Sequence, residues 1–76
     1  TNITYGLPEN MRVMITVYDI KGRVVKTLVD SRQSAGHNSI FWNGTNDFGA
    51  PVSTGLYFYR IQSSNFSQTK KMIFLK

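Results

Sequence analysis

Residues 11–25 read MRVMITVYDIKGRVV, and the fold turns on how this stretch is read. Met11, Val13, Ile15 and Val17 are apolar at every second position, with Arg12 and Thr16 between them. Successive side chains of an extended backbone point to opposite faces, so this period marks a half-buried strand and not a helix. A second β-branched and basic run follows from Arg23 to Val29, joined to the first by Asp19-Ile20-Lys21-Gly22. Asp at the first turn position and Gly at the fourth suit a type I turn closed by a left-handed glycine, the three-residue hairpin loop with a bulge. The stretch therefore predicts a β-hairpin, with Asp19 and Gly22 as its structural turn residues.

The same patterning continues in both directions. SRQSAGH, residues 31–37, is polar and contains Gly36, which predicts a loop; HNSIFWNG, residues 37–44, resumes a strand with Ile40 and Trp42 on one face. Trp42, the single tryptophan, is the natural centre of a core. NGTNDFGAPVSTG, residues 43–55, is punctuated by Gly44, Gly49, Pro51 and Gly55 and predicts a long turn region. In LYFYRIQ, residues 56–62, Tyr57, Tyr59 and Ile61 share one face while Leu56, Phe58 and Arg60 share the other; the first set is taken as buried. Ser64-Asn65 is expected to make a tight turn, because Asn tolerates the left-handed region. QTKKMIFL, residues 68–75, then returns as a final strand, and NITYGLP, residues 2–8, supplies a short first strand closed by Pro8.

Short strands at this spacing with no helical period predict an all-β fold: an immunoglobulin-like antiparallel β-sandwich of about seven strands, forming one domain over residues 1–76. Its expected core is Val13, Ile15, Val17, Ile40, Trp42, Tyr57, Tyr59 and Ile61. No internal repeat is evident.

Composition narrows the function classes. A chain of 76 residues has room for one small core, so its stability is expected to be marginal. With no cysteine, neither disulfide staples nor thiolate metal sites are available. No segment has the pattern of a signal peptide, and no apolar run reaches the ~20 residues of a membrane span, so the chain reads as a soluble piece of a longer protein. The net charge of +5 would suit nucleic acid if it were clustered. Its nine basic residues are instead dispersed, with Lys70-Lys71 the only adjacent pair, which predicts a solvated basic surface and no nucleic-acid partner.

Catalysis is poorly provided for. The acids are Glu9, Asp19, Asp30 and Asp47, and the one histidine is His37. Asp19 is accounted for by its turn, and His37 has no second histidine at metal-ligand spacing. Asn43, Thr45, Asn46 and Asp47 could present oxygens to a calcium ion across the Asn43–Gly49 loop, but the alternating acids and terminal glutamate of an EF-hand are missing. Turn formation explains them better, and no metal or other cofactor is expected. NIT, NGT and NFS fit the N-glycosylation triplet, as chance alone would produce in a chain rich in Asn, Ser and Thr. Ten aromatic residues could build a sugar-binding platform, although a domain this small needs most of them inside. The composition favours a non-enzymatic binding, structural or addressing module.

Taken together, VYDIKGRVVKTLVD, AGHNSIFWNGTNDFGAPVSTGLYFYRI and TKKMIFLK resemble the C-terminal sorting domain of proteins exported by the type IX secretion system in Bacteroidota and related bacteria. They are also similar to the immunoglobulin-like module of the flagellar hook-capping protein, whose pattern overlaps. The resemblance runs from Val13 to Lys76 and is carried by Asp19, Gly22 and Arg23, by Gly55 and Tyr57, and by the basic-apolar-basic final strand. Asn43 departs from it, standing where an acid often follows the tryptophan. The sorting-domain resemblance implies a seven-stranded sandwich behind a cargo domain N-terminal to Thr1, secreted or held at the cell surface after export through the periplasm. It implies the type IX translocon and a sortase-like peptidase as partners, with recognition on Gly55, Tyr57, Lys70, Lys71 and Lys76. The alternative implication is a permanent structural or accessory module of an extracellular enzyme or hook-cap protein, and beyond it a carbohydrate-binding module.

Overall fold

The computed structural model describes residues 1–64 and 66–76. Among the described residues six strands follow one another: β1 (Asn2–Leu7), β2 (Met11–Tyr18), β3 (Val24–Gln33), β4 (Gly36–Phe41), β5 (Gly55–Gln62) and β6 (Ser67–Phe74). They form two sheets, β1-β4 and β3-β2-β5-β6, with every pairing antiparallel. The fold is an immunoglobulin-like β-sandwich of six strands, one fewer than expected. Among the described residues, the segment between β4 and β5 adds only an isolated bridge from Thr45 to Pro51, because its glycines and Pro51 turn the chain too often to sustain a ladder.

Strand β2 lies at the heart of the larger sheet, hydrogen-bonded to β3 on one side and β5 on the other. Its alternation therefore becomes complete burial on the inner face, where Val13, Ile15 and Val17 are each 0% exposed. Strand β1 buries Ile3, Tyr5 and Leu7, of which Tyr5 and Leu7 pack with Val13 and Ile15; this alternation, present in NITYGLP, puts three residues into the core beyond those expected from sequence.

The interior divides into two clusters. One joins Tyr5, Leu7, Met11, Val13, Ile15, Val29 and Ile61; the other joins Val17, Trp42 and Tyr57. Trp42 is fully buried but anchors the second cluster at one end of the sandwich, not the centre of a single core. Two residues expected in the core are only half-buried, Ile40 and Tyr59. Ile40 sits on β4 at the margin of the two-stranded sheet and packs on the first cluster. Tyr59 bridges both clusters from β5, opposite Lys70 of the edge strand β6.

Three local expectations change. Ser31, Arg32 and Gln33 belong to β3 and are not loop, leaving Ser34 and Ala35 to connect β3 to β4. Their polarity reflects the position of β3 at a sheet edge, where the chain stays wet. Strand β4 ends at Phe41, so Trp42 lies just past it. The expected Ser64-Asn65 turn lies outside the described residues at Asn65. The hairpin at Asp19 matches expectation: Gly22 N–H donates to Asp19 O at 3.0 Å, Asp19 N–H donates to Arg23 O at 3.0 Å, and Gly22 has φ +82°.

Candidate functional site

The acids and the histidine do not converge. Asp30 pairs with Arg12 on the exposed face of the β2–β3 ladder at 2.7 Å, Glu9 is exposed before β2, and His37 is exposed on β4. Among the described residues no group of three His, Cys, Asp or Glu side chains could hold a metal ion. Asp19 is committed to its loop: Oδ1 accepts the backbone N–H groups of Lys21 at 2.9 Å and Arg23 at 3.0 Å, while Oδ2 faces Arg23 Nε at 3.0 Å. The carboxyl consequently sits below its ordinary pKa, chiefly through the Arg23 N–H; desolvation opposes this, and the Arg23 side chain and the Lys21 N–H reinforce it.

The loop considered for calcium is instead a second copy of the Asp19 loop. Asn46 N–H donates to Ala50 O, Gly49 N–H donates to Asn46 O, and Asn46 Oδ1 accepts the N–H groups of Phe48 and Ala50. Every one of these bonds has its counterpart between Asp19 and Arg23, and Gly49 matches Gly22 with φ +83°. Asp19-x-x-Gly22 and Asn46-x-x-Gly49 thus share a spacing, a repeat too short to stand out in the sequence without its geometry. Asp47 uses the loop as a tether: its N–H donates to Val25 O and its Oδ1 accepts the Thr27 N–H, both at 3.0 Å. This supplies partners to β3 where its pairing with β2 slips register, between Ile15 and Thr16 and between Val17 and Tyr18. Asn43 Oδ1 likewise accepts from Thr45. The oxygens that suggested calcium are turned onto the protein's own donors.

Next to this tether the chain builds an aromatic plug. Trp42 meets Phe74 of β6 at 5.0 Å between ring centroids and Tyr57 of β5 edge-on at 5.2 Å. Trp42 Nε1 donates to Thr45 O at 2.9 Å, so the buried indole keeps a partner. Tyr57 hydroxyl donates to Ser53 O at 2.6 Å. A tyrosine at a strand start that bonds backbone four residues upstream is the tyrosine corner of immunoglobulin-like sandwiches. Tyr57, two residues after Gly55 at the end of the turn region, is its sequence trace.

The five residues singled out for recognition do not form one patch. Tyr57 is buried at 7% exposure and occupied by its corner bond, so no partner can read it from outside. Gly55 opens β5 opposite Phe74. Lys70 lies opposite Tyr59 on the inward-facing side of β6 and Lys71 opposite Phe58 on the outward-facing side, both exposed. Lys76 lies past the strand, its backbone N–H on Thr54 Oγ1 at 3.3 Å. On the outward face Arg60 and Lys71 give β5 and β6 a basic character, with Arg60 stacked 5.5 Å over the Tyr18 ring, while Lys70 stands on the other face.

The sequence pattern of the family described as the FlgD Ig-like domain matches residues 1–67, most of the chain. The chain belongs to the FlgD Ig-like domain family. Its backbone is similar to the crystal structure of FlgD from P. aeruginosa, with a TM-score of 0.76 and 30% identity over 95% of this chain. The chain spans 55% of that FlgD chain, about half its length. No curated protein sequence matches. Of the two overlapping resemblances, the family match supports the hook-cap module; it gives no support to type IX sorting.

Proposed function

We propose that this domain is a permanent, non-enzymatic structural module of a flagellar hook-capping type of protein. The family match over residues 1–67 carries the reading. The allocation of polar groups agrees with it: Asp19, Asn46 and Asp47 are spent on loops, and Trp42 and Tyr57 on an end plug. Such a module supplies a stiff, folded spacer and surfaces for assembly, and performs no chemistry. The test is to replace the matching domain of FlgD from P. aeruginosa with residues 1–76 and score hook assembly by electron microscopy. Cells that build hooks support the reading; a folded, exported chimaera without hooks contradicts it.

One observation favours type IX sorting as a second reading. Strand β6 is basic, exposed and at a sheet edge, where a translocon could engage it. Fusing residues 1–76 to a periplasmically exported fluorescent protein, in a bacterium with a type IX system, tests this. Surface display that disappears with the translocon supports sorting. Periplasmic retention, while a native sorting domain exports the same reporter, excludes it.

A further inference from the structure

Strand β6 is the outer strand of the four-stranded sheet, and its eight residues span roughly 27 Å at the rise of antiparallel strands. Its pairing with β5 determines which backbone groups remain unused. Ser63 N–H donates to Phe66 O, and the register Gln62↔Ser67 to Gly55↔Phe74 continues that ladder. Hydrogen-bonded pairs alternate with non-bonded ones in an antiparallel ladder. Gln68, Lys70, Met72 and Phe74 therefore bond inward to β5, while the N–H and C=O groups of Ser67, Thr69, Lys71 and Ile73 point out of the sheet.

The two strands that carry this row, β5 and β6, hold charge of one sign. No Asp or Glu occurs after Asp47, and the stretch from Phe48 onward holds Arg60, Lys70, Lys71 and Lys76. Of the two ion pairs found among the described residues, Arg12–Asp30 joins β2 to β3, and Arg23–Asp19 follows β2, where Asp19 shares a groove with Arg60 and Thr69 but is already paired. Lys70 and Lys71 stand on opposite faces of the strand, so a strand laid against β6 meets a lysine on each side. These charges oppose pairing with a second copy of β6, as lysines on edge strands do, and select an acidic strand by the same field. The open edge of β1 offers no such selection, since Asn2–Leu7 carries no charged side chain.

We infer that β6 is a docking edge for an extended acidic segment of a partner protein, which adds a fifth strand to the sheet. Two consecutive acidic residues in that segment face Lys70 and Lys71, and β-branched residues flank them. The inference is independent of whether the domain is a hook-cap module or a sorting signal. Main-chain bonds to the outward row provide affinity, and the lysine pair provides selection.

The probe is the capped octapeptide Thr-Val-Thr-Glu-Glu-Val-Thr-Val, titrated into the 15N-labelled 76-residue chain. Binding is expected to slow amide exchange at Thr69, Lys71 and Ile73 and to leave Gln68, Lys70 and Met72 unchanged. The peptide with both Glu replaced by Lys is expected to bind at least about tenfold more weakly, and Lys70→Glu with Lys71→Glu to weaken the acidic peptide similarly. Thr69→Pro removes an outward N–H that β5 does not use, and should abolish the protection while the melting transition persists. The proposal is overturned by failure to bind, by binding without alternate protection at β6, by equal binding of the two peptides, or by dimerisation of the chain through β6.

Discussion

Gly44 lies directly beneath the ring of Phe74: a Cβ built on Gly44 would collide with the far edge of that ring, and Gly44 itself holds φ +77°. The turn after Trp42 is therefore glycine for two reasons, a left-handed backbone and the closeness of an aromatic from the last strand. Residues 30 positions apart in sequence are locked through a missing side chain.

Gly44→Ala is expected to destabilise the domain by about 2–5 kcal/mol, summing left-handed strain and overpacking against Phe74. Trp42→Ala, which empties the plug, should cost about 3–5 kcal/mol. Urea denaturation followed by circular dichroism checks both. A midpoint unchanged in either variant would show the plug not to matter.

Tyr57→Phe removes the bond to Ser53 O and keeps the ring against Trp42. The expected loss is about 1 kcal/mol, the net worth of a hydrogen bond, without change in the urea m-value. A loss as large as that of Trp42→Ala would mean that the hydroxyl organises the whole turn.

Thr16 is 3% exposed on β2, and its hydroxyl has no hydrogen-bond partner among the described residues. An unpaired buried hydroxyl costs free energy that an isosteric methyl does not. Thr16→Val should therefore raise stability by about 1 kcal/mol in a urea titration, and destabilisation would show that the hydroxyl is satisfied.

Asp19 titrates in the folded domain below its ordinary value of 3.8. A depressed carboxyl favours the folded state while ionised. Its contribution is thus fully present above the unfolded pKa and is lost as pH falls from near 3.8 through the lower folded value. Asp19→Asn should lower stability at pH 7, and its deficit against the parent should shrink towards pH 2. A deficit that stays constant with pH would assign the cost to the turn backbone and not to the charge.

Sequence patterning was enough for β2, the Asp19 hairpin and the inward face of β5, because those features are local: period-two alternation and a turn glycine with one required conformation. It was less informative wherever the partner was distant. Ile3, Tyr5 and Leu7 alternate as clearly as β2 does, yet they sit in a short polar stretch whose burial depends on β1 covering β2. Ser31 to Gln33 look like loop because an edge strand can be polar on both faces. The tether from Asp47 to β3 and the contact of Phe74 with Gly44 join segments with no shared local signal. The same limit separates the candidate recognition residues: Tyr57 and Lys71 are close in pattern, but one is sealed in the plug and the other stands on the open edge.

The most direct test of a permanent hook-cap type of module is quantitative mass spectrometry of the mature parent protein, purified from the cell exterior with its flagellar structures. Peptides from β5, such as those covering Gly55–Arg60, are expected in equal amount with peptides from the rest of the chain in the hook fraction. A mature protein from which residues 1–76 have been removed after export would contradict it and identify the domain as an address.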